Sequence, residues 1–72
     1  MNPIITIDET GLMLISFSEE DAGAGIYEKI QHADLEEAQS AVAANWPVRT
    51  WVKTTTSDGA EWHPEYKTEA AR

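Results

Sequence analysis

The sequence predicts an α+β fold of two layers, in which an antiparallel sheet of four to five strands carries one helix packed on a face, in the order ββ(β)αββ. Three patterns support this prediction. Two apolar runs near the start are joined by a short polar turn, one stretch of helical periodicity follows, and a second strand–turn–strand pattern comes after it. A helix with a single apolar stripe has to bury that stripe, and a sheet face offers the surface.

The first two strands are predicted at residues 4–7 and 12–17, which are rich in β-branched and apolar side chains. A short turn from Asp8 to Gly11 joins them, with Gly11 in the left-handed conformation that such hairpins require. Apolar residues fall on both faces of the second strand. We therefore expect this strand to be central in the sheet or covered on both sides, and to supply much of the core.

Residues 18–25 are predicted to form a mobile loop. They contain three consecutive acids, Glu19, Glu20 and Asp21, followed by two glycines. This composition buries little apolar surface. The glycines indicate flexibility and not a phosphate-binding loop, because the acids repel phosphate and no lysine follows.

One helix is predicted to begin at Asp34 and to end near Trp46. The apolar residues at helical spacing are Leu35, Ala38, Val42 and Trp46. Asp34 and Glu37 form an Asp-x-x-Glu capping box, and Pro47 disfavours helical geometry in the residue before it. The preceding segment, 26–33, suits a strand or a helix. The strand is favoured, because on one continuous helix its two isoleucines would point away from the apolar stripe.

Two further strands are predicted at residues 48–56 and 60–63, around an Asp-Gly turn at 58–59 and with a proline directly after the second strand. The single domain is therefore expected to cover residues 1–64. Residues 65–72 are predicted to fray, because a tyrosine is their only large apolar anchor.

A tryptophan on the first of these strands is a candidate interface anchor. Alternation along the strand places Val48 and Val52 inward, and Trp51 outward between two basic residues. An exposed tryptophan among charges is typical of a binding hot spot. The alternative is that Trp51 packs on Trp62 across the hairpin and stiffens it.

Charge limits the class of partner. Thirteen acidic residues against five basic ones give a formal net charge of −8. Such a protein repels phosphate backbones and anionic membranes, so we expect no direct nucleic-acid or membrane binding. A protein with a basic surface would instead be attracted from a distance. The alternative is that the acids only keep a small protein soluble.

The compartment is predicted to be the cytoplasm. The chain has no cysteine, whereas small secreted domains usually depend on disulfides. The N-terminus lacks the basic and apolar regions of a signal peptide, and the longest apolar run is too short to cross a membrane.

No catalytic apparatus is recognised, so the sequence predicts a protein that is not an enzyme and has no cofactor or metal. The two histidines, His32 and His63, lack a nucleophile elbow and the spacing of zinc ligands. They are expected to face solvent or to pack.

The acids fall into two clusters, which are the main candidate binding residues. One is the loop of Glu19, Glu20 and Asp21, and the other is Asp34, Glu36 and Glu37 at the start of the helix, of which Glu36 and Glu37 are the binding candidates. If the strands that precede these clusters are antiparallel, the clusters lie at opposite ends of the pair. Two negative patches spaced like phosphates are the pattern of a DNA mimic that occupies a basic groove.

Residues 26–63 combine a strand, a helix opened by Ala33-Asp34-Leu35-Glu36-Glu37-Ala38, and a strand–turn–strand. This pattern resembles small phage and mobile-element proteins, among them anti-CRISPR inhibitors. It implies an inhibitor that acts in the host cytoplasm and blocks a basic, nucleic-acid-binding surface of a host defence complex. The alternative function is an adaptor or homodimerisation module that uses strand edges and the exposed tryptophan.

Overall fold

The computed structural model describes residues 2–67, which form a five-stranded antiparallel sheet and two helices. The elements are β1 (Ile4–Asp8), β2 (Leu12–Ser16), α1 (Glu19–Gly23), β3 (Glu28–Gln31), α2 (Leu35–Asn45), β4 (Val48–Thr56) and β5 (Gly59–Tyr66). The strands lie in the order β3-β2-β1-β5-β4. The predicted α+β fold is confirmed, as is the strand before the long helix. Neither helix is long and apolar enough to cross a membrane.

The core lies between α2 and the sheet face formed by β1 and β2. Cross-strand pairing puts Ile5 opposite Ile15 and Ile7 opposite Met13, so these four side chains share the face that α2 covers. Ala38 and Val42 of α2 are fully buried against them. As predicted, β2 is an inner strand, between β3 and β1. Its other face, with Leu12 and Leu14, stays partly exposed.

The capping box that starts α2 is confirmed. The Oδ1 atom of Asp34 accepts a hydrogen bond from the Glu37 N–H at 2.8 Å. The Glu37 carboxylate in turn accepts from the Ala33 N–H at 2.8 Å, one residue before the cap. At the other end the Trp46 N–H donates to the Val42 carbonyl, and the helix stops before Pro47. Both ends of α2 are therefore set by the local sequence.

The turn between β1 and β2 packs against the start of α2. Gly11 has the predicted left-handed backbone, with φ +91°. A Cβ atom at this position would lie only 2.7 Å from the Asp34 carbonyl oxygen. The Gly11 carbonyl also accepts a hydrogen bond from the His32 N–H at 3.0 Å. Glycine therefore fits this position for two reasons. The turn needs a left-handed backbone, and the chain that enters α2 comes too close to leave room for a Cβ atom.

The loop predicted at residues 18–25 contains a short helix instead, α1. The Ser18 hydroxyl caps it by accepting a hydrogen bond from the Asp21 N–H at 3.0 Å. All three acids stand in its first turn, where they favour the positive end of the helix dipole. A serine followed by acids is a helix-start pattern, and it prevailed over the flexibility of the glycines.

β5 is longer than the predicted strand 60–63 and runs through Pro64 to Tyr66. Its pairing with β1 is confined to Trp62 and Glu61, so the proline lies where β5 pairs with β4 alone. A strand with one free side tolerates proline. Glu65 and Tyr66, predicted to fray, are thus part of the sheet. The remainder of the predicted tail, 68–72, lies outside the described residues.

Tyr66 joins the end of β5 to the N-terminal segment. Its hydroxyl donates a hydrogen bond to the Pro3 carbonyl at 2.7 Å. Burial raises the pKa of Tyr66 to about 12, because the ionised phenolate would lose solvation there. The contact ties together two segments that are distant in sequence.

A register shift in β4 reverses the predicted inward and outward positions. Val48 lies opposite Tyr66 but Thr50 lies opposite Glu65, so β4 has one extra residue between these two pairs. Downstream of it, Trp51 turns towards the core and packs against it. Val52 is 46% exposed on the other face. The prediction that Val52 faces inward and Trp51 outward is therefore wrong.

Candidate protein-binding groove

One helix is too narrow to cover this sheet. With its side chains a helix is about 10–12 Å wide, whereas the outer strands of a five-stranded sheet lie about 19 Å apart. α2 lies over β1 and β2, and it does not cover the two flanks of that sheet face. On the β5–β4 flank, Val48 and Trp51 pack against the core. The β3 flank remains open, and a groove lies there between α2 and β2–β3.

The groove has a volume of about 260 Å³ and mainly apolar walls. Its mouth is formed by Phe17 just after β2, Ile30 on β3 and Trp46 at the end of α2. Phe17 is 55% exposed and Ile30 is 39% exposed, so both present large apolar surface to solvent. The Phe17 and Trp46 rings are tilted at 54°, with their centres 6.5 Å apart. This aromatic pair forms the end of the groove beside α1.

A smaller hollow of about 100 Å³ continues the apolar surface along β3. It shares Phe17 with the groove and adds Ile26 and Tyr27 from the segment between α1 and β3. Ile26 is 59% exposed and Tyr27 is 36% exposed. A run of large exposed apolar side chains on so small a protein is typical of an interaction site.

Carboxylates stand around this apolar surface. Glu28 lines both the groove and the hollow, and Asp21 of α1 lines the hollow. Glu37 stands beside the groove wall, 3.6 Å from the Nδ1 atom of His32. Within residues 2–67, no lysine or arginine forms an ion pair with a carboxylate. These three carboxylates form an acidic rim around the groove and the hollow. The rim presents negative charge that cations of a partner can neutralise.

His32 lies in the groove wall and has a buried polar atom to satisfy. Its side chain is only 16% exposed. Its Nε2 atom is buried and has no hydrogen-bond partner in the described part of the chain. Leaving a polar atom buried without a partner costs free energy. The signal for this position was its spacing of two from Ile30, which places both on the same face of the strand.

The two acidic clusters lie where the sequence places them. β2 and β3 are antiparallel, and Gly11, just before β2, contacts the chain that enters α2. Glu19, Glu20 and Asp21 follow the far end of β2. The clusters are therefore at opposite ends of the β2–β3 pair. Both also have a structural role, because they occupy the first turns of α1 and α2.

The remaining predicted residue, Trp51, is separate from the acids. It lies on β4, the edge strand opposite β3, and is partly buried. Its cross-strand partner is Pro64, and Trp62 is opposite Lys53. The Lys53 ammonium stands 5.5 Å from the centre of the Trp62 ring, a cation–π distance. The exposed groove residues Phe17 and Ile30, which the sequence analysis did not select, take the place of Trp51 as candidate anchors.

Comparison with known proteins gives no family for this chain. No protein-family model, curated protein or solved structure matches it. Among residues 2–67 there is also no group of three or more histidines and carboxylates placed to hold a metal ion.

Proposed function

We propose that the protein is a non-enzymatic binding protein that takes a basic protein partner at the groove between α2 and β2–β3. The observation that carries this proposal is an open apolar groove with Phe17 and Ile30 exposed at its mouth and carboxylates around it. Buried apolar side chains supply affinity in protein interfaces. Charges at the rim steer the partner and exclude partners of the wrong sign.

The apolar groove and the surrounding carboxylates contribute to binding in different ways. Burying an exposed Phe or Ile side chain completely contributes about 1.5–3 kcal/mol. Phe17 and Ile30 are each about half exposed, so together they offer a similar amount. Rim charges are screened over about 8 Å at physiological salt and act mainly on the association rate. The groove therefore holds the partner, and the carboxylates select it.

A finer proposal is that the protein is a phage-type inhibitor. In this version it acts in the host cytoplasm and blocks a basic, nucleic-acid-binding surface of a defence complex. The net charge of −8 and the acidic clusters at both ends of β2–β3 support it. A pure DNA mimic would bind its partner through the acidic clusters alone, as DNA binds through its phosphates. In this protein the groove offers the partner an additional apolar contact.

Capture experiments with matched variants test the site. Purified protein is immobilised, and the proteins retained from a host lysate are compared at low and high salt. We expect wild type to retain a basic protein, and Phe17→Ser to bind it about tenfold more weakly because apolar contact is lost. Val52→Ser is the control, since Val52 is also about half exposed but lies on the opposite sheet face.

A second variant separates groove from charge. Replacing Glu19, Glu20 and Asp21 by serine removes one acidic cluster and is expected to slow association while capture persists. The groove proposal is wrong if Phe17→Ser and Val52→Ser capture equally well. Complete loss of capture in the triple variant alone would indicate a DNA mimic instead.

A second candidate function is self-association through the open sheet edges. β4 is nine residues long and pairs only with β5, so its other edge is free within the described chain. The register shift near Thr50 and the charged Lys53 both oppose edge pairing, as does the net charge. Sedimentation across a concentration range decides this, and a stable dimer would favour the second candidate.

A further inference from the structure

We propose that the partner binds as an added β-strand on the free edge of β3, through a short apolar segment with Lys or Arg at both ends. This inference rests on the proposed function and specifies the form of its partner. It is supported by the backbone of β3, by the faces of its side chains and by the acids at its two ends.

β3 has unpaired backbone groups along its outer edge. It is the outermost strand, its four residues are all exposed, and it pairs only with β2. The His32 N–H donates to the Gly11 carbonyl, so the backbone of residue 32 faces β2. Because backbone groups alternate in direction along a strand, the N–H and C=O groups of Lys29 and Gln31 face outward. These four groups are what an added strand would pair with.

The side chains of β3 define which residues an added strand carries. Ile30 is opposite Met13 and Glu28 is opposite Ile15, so both lie on the groove face. Lys29 is opposite Leu14, on the other face. A partner residue opposite Ile30 therefore reaches the mouth of the groove and is expected to be apolar. The partner residue opposite Glu28 is expected to be basic, and the one opposite Lys29 to be uncharged or acidic.

Acidic clusters stand at both ends of this edge. The first turn of α1 carries Glu19, Glu20 and Asp21, and the first turn of α2 carries Glu36 and Glu37. The four residues of β3 between them span about 14 Å. A segment of similar length with cations at each end meets both clusters at once. The acids in the first turns of α1 and α2 thus set the length and charge of the ligand.

A second copy of this chain does not fit the same edge. Antiparallel pairing of two β3 strands would bring the α1 end of one copy against the α2 start of the other. Both ends are acidic, so the like charges would repel. A basic segment has no such cost, and this difference decides between the two occupants.

The probe is a blocked peptide, Lys-Lys-Thr-Leu-Thr-Lys-Lys, titrated into the full chain by calorimetry. Its leucine is placed to face Ile30, and its threonines to face the outward groups of Lys29 and Gln31. In that arrangement the threonine N–H groups point to β3 and the leucine N–H points away. N-methylation of both threonines is therefore expected to weaken binding at least about tenfold, and N-methylation of the leucine to leave it nearly unchanged.

The protein side supplies an independent readout. Amide hydrogen exchange at Lys29 and Gln31 is expected to slow when the peptide is bound, because those N–H groups gain partners. Lys29→Pro removes one outward donor and should abolish this strand pairing, while Lys29→Ala should retain it. An acidic control peptide, with glutamates in place of the lysines, is expected not to bind.

The outcomes separate the two proposals. Side-chain NMR of the protein is recorded during the same titration. If the peptide binds and shifts the NMR signals of Phe17 and Ile30, but the threonine-methylated and leucine-methylated peptides bind as tightly as each other, strand addition is wrong and the groove remains the site. If no basic peptide binds and those signals stay fixed, the proposed function itself is contradicted. A wild-type dimer that Lys29→Pro abolishes would make a second copy the occupant and overturn the inference.

Discussion

The carboxylate of Asp8 organises the turn that joins β1 to β2. Its Oδ1 atom accepts hydrogen bonds from the Thr10 hydroxyl at 2.6 Å, the Thr10 N–H at 2.9 Å and the Leu12 N–H at 3.1 Å. The Thr10 hydroxyl is the main reason that the pKa of Asp8 lies below its usual 3.8. A carboxyl group with a lowered pKa stabilises the fold when it is ionised.

The sign of the pH effect follows from that shift. The stabilisation by Asp8 is fully present above its unfolded pKa of 3.8 and is lost as the pH falls through the lower folded value. We expect Asp8→Asn to lower stability at neutral pH by about 1 kcal/mol, because an uncharged acceptor makes weaker hydrogen bonds. Urea unfolding at a series of pH values measures this. The difference from wild type should shrink on acidification, and a difference that stays constant with pH would contradict the assignment.

Single residues differed in how far the sequence could place them. The left-handed Gly11 and the Asp34–Glu37 capping box are local patterns, and both are confirmed. The exposure of Phe17 and the burial of the His32 Nε2 atom depend on which strand α2 covers. That information is not local. The spacing from Ile30 places His32 on the same face as that residue, but no sequence pattern shows which flank of the sheet α2 leaves open.

At the scale of the elements, the turn between β1 and β2 packs against the start of α2, and this contact requires glycine at position 11. Alanine there would hold a strained φ of +91° and place its Cβ atom 2.7 Å from the Asp34 carbonyl. We expect Gly11→Ala to destabilise the protein by roughly 3 kcal/mol, because strain and steric clash act together. Chemical denaturation measures the loss.

Gly25→Ala is the matched control for this prediction. Gly25 also has a positive φ, +78°, but a Cβ atom there would meet nothing within 4 Å. Only the backbone strain remains, at about 1–2 kcal/mol. Equal losses in the two variants would show that the turn does not pack on the start of α2 as described.

The errors in the predicted elements have physical causes. α1 was missed because two glycines outweighed the pattern of Ser18 and three acids. The orientation of Trp51 was wrong because one extra residue in β4 shifts the pairing, and such a shift moves every later side chain to the other face. Nothing in the alternation of valines and basic residues marks where that extra residue falls.

At the scale of the whole molecule, the proposed function rests on one geometric fact: the single long helix α2 covers only part of one face of a five-stranded sheet. The sequence predicted both layers, but the strand order β3-β2-β1-β5-β4 decides which flank stays open. The β5–β4 flank has Val48 and Trp51 packed against the core, and the β3 flank has an apolar groove. The structure shows where part of the acidic charge lies. Carboxylates stand around that groove and at both ends of β3.

The central claim is that the groove, and not the acidic clusters alone, contacts the partner. Side-chain NMR of the labelled full chain during titration with the unmodified basic peptide tests it most directly. We expect the signals of Phe17, Ile30 and Trp46 to shift and saturate together, while Val52 on the opposite face stays fixed. Shifts confined to the acidic residues of α1 and α2, with the groove signals unchanged, would contradict the claim.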